Sequence, residues 1–146
     1  MLKYNSLEEN WSMAKNTILI GRTVKINIPL YGIYGLPAKV DTGADGSSIW
    51  ASDIEEDNGI LSFFLLDPRS DKYNGQKIST KEYKRVIVKN SFGVSERRYR
   101  VFLTVEIEGR KIKAQFSLAN RQLKSYPALI GRRLLSNRFI VDVAKK

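Results

Sequence analysis

The stretch from Arg100 to Leu118 constrains the fold more than any other part of the chain. Val101, Leu103, Val105 and Ile107 alternate with Phe102, Thr104 and Glu106, the chain reverses at Glu108-Gly109-Arg110, and a second run follows through residues 111–118. A period of two sends successive side chains to opposite faces, so this reads as a β-hairpin with one face to bury. Residues 17–29 add a β-branched run, a Gly21-Arg22 break and then alternation at Val24, Ile26 and Ile28. Residues 30–35 read as a turn, 36–40 as a short apolar run, 60–66 as a buried strand and 67–76 as a polar connection. Residues 85–88 and 97–102 flank a hairpin tip at Asn90-Ser91-Phe92-Gly93. Only residues 132–137 read as a helix, of one or two turns. With no internal repeat and no linker, the chain is expected to form one mostly-β domain over residues 17–146, a barrel or sandwich, behind an N-terminal extension of residues 1–16.

Composition narrows the chemistry. The 146 residues include no histidine and no cysteine. The usual proton shuttle, the commonest zinc ligands and any disulfide framework are therefore missing together, leaving carboxylates, hydroxyls, lysines and bound water to do any chemistry. The 25 Lys and Arg against 15 Asp and Glu give a formal charge of +10, which attracts anionic partners. These charges are scattered, with no long basic block and no basic–aromatic stripe or recognised RNA motif, which argues against nucleic acid. The first residues carry acids and no apolar stretch of leader length, and nothing approaches a membrane span, so a soluble, cytoplasmic protein is expected.

Val40-Asp41-Thr42-Gly43-Ala44 sets a carboxylate directly after an apolar strand, followed by a hydroxyl residue and a glycine. On its own this is equally an ordinary Asx turn. Near the other end, Ala128-Leu129-Ile130-Gly131-Arg132 sets two large aliphatics before a glycine and the short helix. Taken alone, that is an ordinary strand end. The two together, with a glycine-bearing hairpin between them, resemble the retropepsins, the single-domain aspartic proteases that include the retroviral enzymes. The likeness runs from about residue 17 to residue 143. It implies a retropepsin-like closed β-barrel with one short C-terminal helix. Within the family, the chain is similar to small bacterial proteins labelled ATP-dependent zinc proteases, on the Asp-Thr-Gly-Ala loop, the flap and the closing G-R-R-x-L-x-x-R-F segment of residues 131–139. That label implies zinc. Without His or Cys a catalytic zinc would need carboxylates alone, so we expect no metal and no cofactor.

The resemblance also implies roles. Asp41 would be half of a catalytic dyad, completed by Asp41 of a second subunit, because the chain holds a single D-[T/S]-G and Asp57-Asn58-Gly59 fits a turn. Thr42 would hydrogen-bond across the two-fold axis, and Gly43 would let the backbone approach the substrate. Leu129 and Ile130 would brace the loop behind Asp41 and, with Ala44 and Asp45, border the substrate. Asn90, Ser91, Phe92 and Gly93 would form the flap tip, although it lacks the several glycines of the retroviral enzymes. Gly131 and Arg132 would support the site, with Arg132 paired to Asp45 at its base and Arg133 of little consequence. Trp50, Tyr31 and Tyr34 read either as core aromatics or as substrate contacts. The expected activity is that of a homodimeric aspartic endopeptidase. Related bacterial proteins are associated with ligases that add glutamate to proteins, which suggests acidic or glutamylated polypeptides as substrates. A catalytically weak or silent peptide-binding member stays open as the alternative.

Overall fold

In a computed structural model that describes residues 16–89 and 92–146, the described residues form eleven strands and one short α-helix. The strands are β1 (Ile18–Ile20), β2 (Thr23–Ile28), β3 (Ile33–Val40), β4 (Ser47–Asp57), β5 (Ile60–Leu65), β6 (Lys77–Thr80), β7 (Tyr83–Lys89), β8 (Ser95–Ile107), β9 (Arg110–Ala119), β10 (Ala128–Ile130) and β11 (Phe139–Val141). A 3₁₀ turn, Pro29–Tyr31, separates β2 from β3, and α1 (Arg132–Leu135) follows β10. Among the described residues, the expected mostly-β domain with one short helix near its C-terminal end is thus present.

Hydrogen bonding closes six strands into a ring. β10 pairs with β3, β3 with β2, β2 with β8, β8 with β9 and β9 with β4, and β4 returns to β10. Ile26, Ile28, Ile33, Leu36, Ile49, Ile107, Phe116 and Ile130 fill the interior and are essentially inaccessible to water. Each such aliphatic or aromatic side chain is worth about 1.5–3 kcal/mol of burial. Phe63 and Leu61 on β5 extend this core. A separate parallel pair, β1 with β11, ties the start of the described chain to its end.

Two hairpins turn as their sequences demand. Asn58-Gly59 and Glu108-Gly109 each have positive φ at both residues, the mirror-image turn whose twist matches that of paired strands. Other boundaries differ from expectation. β3 begins at Ile33, inside the stretch read as turn, because the 3₁₀ turn has already reversed the chain by Gly32. The two overlapping segments 97–102 and 100–107 are one strand, β8, which serves both the 83–107 hairpin and the ring. The helix is shorter than 132–137 and stops at Leu135.

β4, β6 and β11 had no counterpart in the sequence reading. β4 defeats a search for alternation because its first half is buried on both faces, with Ser47 and Ser48 inside, while its second half alternates. A bulge with positive φ at Asp53 shifts the register between those halves.

A buried carboxylate outside the ring gives a pH dependence. Asp67 is nearly inaccessible and accepts hydrogen bonds from the backbone N–H and guanidinium of Arg69. Hydrogen bonding to the Arg69 side chain, working against burial, holds its pKa below the ordinary carboxylate value. A lowered folded-state pKa adds stability above the unfolded carboxylate pKa of about 3.9, and that stability is lost as pH falls through the folded value. Asp67→Asn should therefore lower Tm at neutral pH, and its Tm gap to the parent protein should shrink below about pH 4. A gap that widens on acidification would contradict this assignment.

Candidate active site

β3 ends at Val40, which is buried, and delivers Asp41 to the rim of the ring. The Val40 N–H donates to the Arg22 carbonyl at 2.9 Å, and the Asp41 N–H donates to the Ile130 carbonyl at 2.9 Å. The chain then turns tightly. The Gly43 N–H donates to Asp41 Oδ1 at 2.9 Å, and the Ala44 N–H to the Asp41 carbonyl at 3.2 Å. This orients a half-buried carboxylate from its own loop, as an Asx turn does.

The loop of residues 41–46 is fastened to a segment some ninety positions later. Arg132 N–H donates to the Ala44 carbonyl at 2.8 Å, Arg133 N–H to the Asp45 carbonyl at 3.0 Å, and Gly131 N–H to Ser47 Oγ at 3.0 Å. Arg132 Nη1 also donates to the Thr42 carbonyl at 3.1 Å. Gly131 is required by space rather than by φ, since a Cβ there would lie 2.3 Å from the Gly46 carbonyl oxygen. Gly43 is less constrained; a Cβ would come to 3.2 Å from Asp41 Oδ1.

The structure thus brings together Asp41, Thr42, Gly43, Ala44, Asp45, Ile130, Gly131 and Arg132. Ile130 is fully buried behind the loop, whereas Leu129 is only partly covered and faces outward beside Lys39. Thr42 is exposed. The Asp45 pairing needs correcting in its detail. Arg132 lies 3.8 Å from the Asp45 carboxylate, but Arg133 lies closer, at 2.9 Å, and all three side chains are more than half exposed. The carboxylate bridges two adjacent guanidinium groups in water, where such pairs contribute little. Arg132 earns its place by holding the Thr42 carbonyl instead.

Of the expected flap tip, Asn90 and Ser91 lie outside the described residues. Phe92 is 88% exposed and Gly93 has φ of +78°. Trp50 is buried in the core, and its backbone N–H donates to the Pro127 carbonyl at 2.8 Å, so it is a core aromatic. Tyr31 packs against the core, and Tyr34 is exposed. Among the described residues, no group of three or more Asp and Glu side chains converges on a point where a metal ion could sit. Nor is any helix there long and apolar enough to cross a membrane.

Sequence reading missed Arg121. Its Nε donates to the Tyr126 carbonyl at 2.9 Å and its Nη1 to Ser48 Oγ at 3.2 Å, which fixes the loop before β10. Nothing in Asn120-Arg121-Gln122 marks it, because its burial depends on β4.

Residues 19–146 match the model of the RimB-like family, described as the retropepsin-like aspartic endopeptidase RimB. The chain belongs to this family. Among curated proteins it is 31% identical over 134 residues to one named "Probable alpha-L-glutamate ligase" in Shewanella pealeana, a match covering 89% of this chain and 29% of that protein. A protein of the same name in Desulfotalea psychrophila is 28% identical over 130 residues, covering 86% and 28%. The chain thus spans under a third of the length of these relatives, and they carry the ligase name, not that of a zinc protease. The crystal structure of a Legionella pneumophila protein of unknown function superposes with a TM-score of 0.67 at 24% identity, covering 86% of this chain and 93% of that one. This RimB-like chain therefore shares its fold with a solved bacterial protein.

Proposed function

We propose that this RimB-like chain is one subunit of a homodimeric aspartic endopeptidase. The observation that carries the reading is the Asp41 loop, oriented by Gly43 and fastened to Gly131–Arg133, in a chain with a single D-T-G. One such loop holds one carboxylate, and two copies about a two-fold axis would bring two together. Carboxylates at that spacing cannot both ionise cheaply, so the pair would share a proton. One would take a proton from water as its oxygen attacks the peptide carbonyl carbon, and the other would give its proton to the carbonyl oxygen. Collapse of the resulting diol, with a proton delivered to nitrogen, breaks the C–N bond.

Thr42, exposed at the loop's outer edge, would bond to its counterpart in the partner, and the hairpin of β7 and β8 would close over the peptide. Acidic or glutamylated polypeptides are the substrates we favour, on the +10 charge and on the ligase name carried by the relatives. In those relatives the matched segment leaves most of the chain for ligase chemistry, so the two activities would sit side by side.

Activity should depend on association. Specific activity is expected to fall steeply on dilution, in step with the dimer fraction measured by analytical ultracentrifugation. Constant specific activity at a concentration where only monomer sediments would sink the shared site.

A further inference from the structure

The hairpin of β7 and β8 leaves the ring as a two-stranded ribbon. β9 accompanies β8 from Arg100 to Ile107, and β2 meets it at Glu106. From Ser95 to Tyr99 β8 has β7 beside it, and among the described residues β7 pairs with β8 alone. A two-stranded ribbon is marginally stable in water, so side-chain contacts at its base decide which way it leans. Tyr83 and Arg85 are two residues apart on β7 and share a face, and Tyr99 joins them as the cross-strand partner of Arg85.

One carboxylate receives all of them. Tyr83 Oη donates to Glu56 Oε2 at 2.5 Å, and Tyr99 Oη to Glu56 Oε1 at 3.3 Å. Arg85 Nε lies 3.0 Å from both oxygens, and its Nη2 lies 2.8 Å from Oε2. The Tyr83 and Tyr99 rings meet edge to face, with 6.0 Å between centroids. Glu56 belongs to β4, beyond the bulge, in the part of the sheet that continues through β5 and β6. Among the described residues, no registered pair joins that part directly to β7 or β8. The Glu56 side chain is only 17% exposed, well shielded for a surface acid. Hydrogen bonding from Arg85, then from Tyr83, outweighs burial and holds its pKa below the ordinary glutamate value, so it stays charged in mildly acidic solution. Charge-assisted hydrogen bonds of this sort are the strong ones.

We propose that Glu56 is a positioning residue. Through Tyr83, Arg85 and Tyr99 it holds the hairpin at one angle to the rest of the sheet, and so sets how tightly that hairpin closes on a bound peptide. This rests on the endopeptidase reading. Arg85 and Tyr99 form the first rung beyond the end of the β8–β9 pairing, so a bond there acts at the hinge of the ribbon. A small tilt at that rung is magnified toward Gly93. Glu56 holds the peptide only through the hairpin and takes no part in proton transfer.

Because the chain has no cysteine, spin labels can be placed through Lys77→Cys on β6 and Lys89→Cys on β7 without background. Distances between the labels, measured by electron paramagnetic resonance on protein diluted with unlabelled subunits, read the angle of the hairpin. The parent should give one narrow distance. Glu56→Gln and, separately, Arg85→Gln should each broaden it, and the double variant should be no broader than either, since both remove one shared interaction. Glu55→Gln, which removes the same charge one residue away, should leave it narrow. With an internally quenched peptide carrying central glutamates, Glu56→Gln should raise KM severalfold while kcat stays within a few-fold, because the binding-competent hairpin is populated less often. Added to Asp41→Asn protein, Glu56→Gln should weaken calorimetric binding of the same peptide by a similar factor. A narrow distance in Glu56→Gln, or equal broadening in Glu55→Gln, overturns the proposal. So does a broad distance with peptide binding unchanged. A parent protein that cleaves nothing overturns the endopeptidase reading alone, since the distance and binding measurements need no turnover.

Discussion

Asp41→Asn is expected to lower peptide cleavage by at least about 100-fold, the lower end of what a positioned acid–base group contributes, with no loss of folding. The amide keeps the shape of the carboxylate, and its oxygen can still accept the Gly43 N–H that orients it. It can neither take a proton from water nor share one with its counterpart. Circular dichroism and sedimentation should be unchanged while turnover disappears. Turnover within a few-fold of the parent would place the chemistry elsewhere.

Gly131→Ala is expected to be the most damaging small substitution in the chain. The added methyl would stand 2.3 Å from the Gly46 carbonyl oxygen and 2.9 Å from the Ala44 carbonyl oxygen, both backbone atoms that cannot swing aside. Gly131 also donates its N–H to Ser47, and its neighbours secure Ala44 and Asp45. Relief would mean separating the two segments, breaking several of these bonds together. Overpacking of this kind typically costs about 1–3 kcal/mol, and loop disorder should remove activity besides. Gly46→Ala is the control: a Cβ there meets nothing within 4 Å, so stability should change little. Equal Tm values for the two alanine variants would show that the close approach imposes no constraint.

The parts of this site legible in the sequence were those set by local chemistry. Asp41-Thr42-Gly43-Ala44 and Leu129-Ile130-Gly131 announce themselves because a tight turn and a close backbone contact restrict residue type within a few positions. The Glu108-Gly109 turn and the alternation around it were legible for the same reason. What escaped depends on partners far away in the chain. The first half of β4 is buried on both faces and a bulge then shifts its register, so no single period describes it. The choice of Asp45 between Arg132 and Arg133 turns on where a four-residue helix starts. Arg121 looks like an ordinary surface cation until Ser48 on β4 and the Tyr126 carbonyl hold it.

The fastening of residues 41–46 to residues 130–133 also has a consequence in time. A nascent chain emerges from its N-terminal end, so the Asp-Thr-Gly loop is made long before the strand and helix that hold it. Contacts spanning some ninety residues form late, because a large loop must close first. Until Gly131 and its neighbours are free of the ribosome, the carboxylate has no Ile130 carbonyl to anchor its backbone and no Arg132 to brace the turn. An interrupted or truncated product therefore carries the motif without the contacts that hold it.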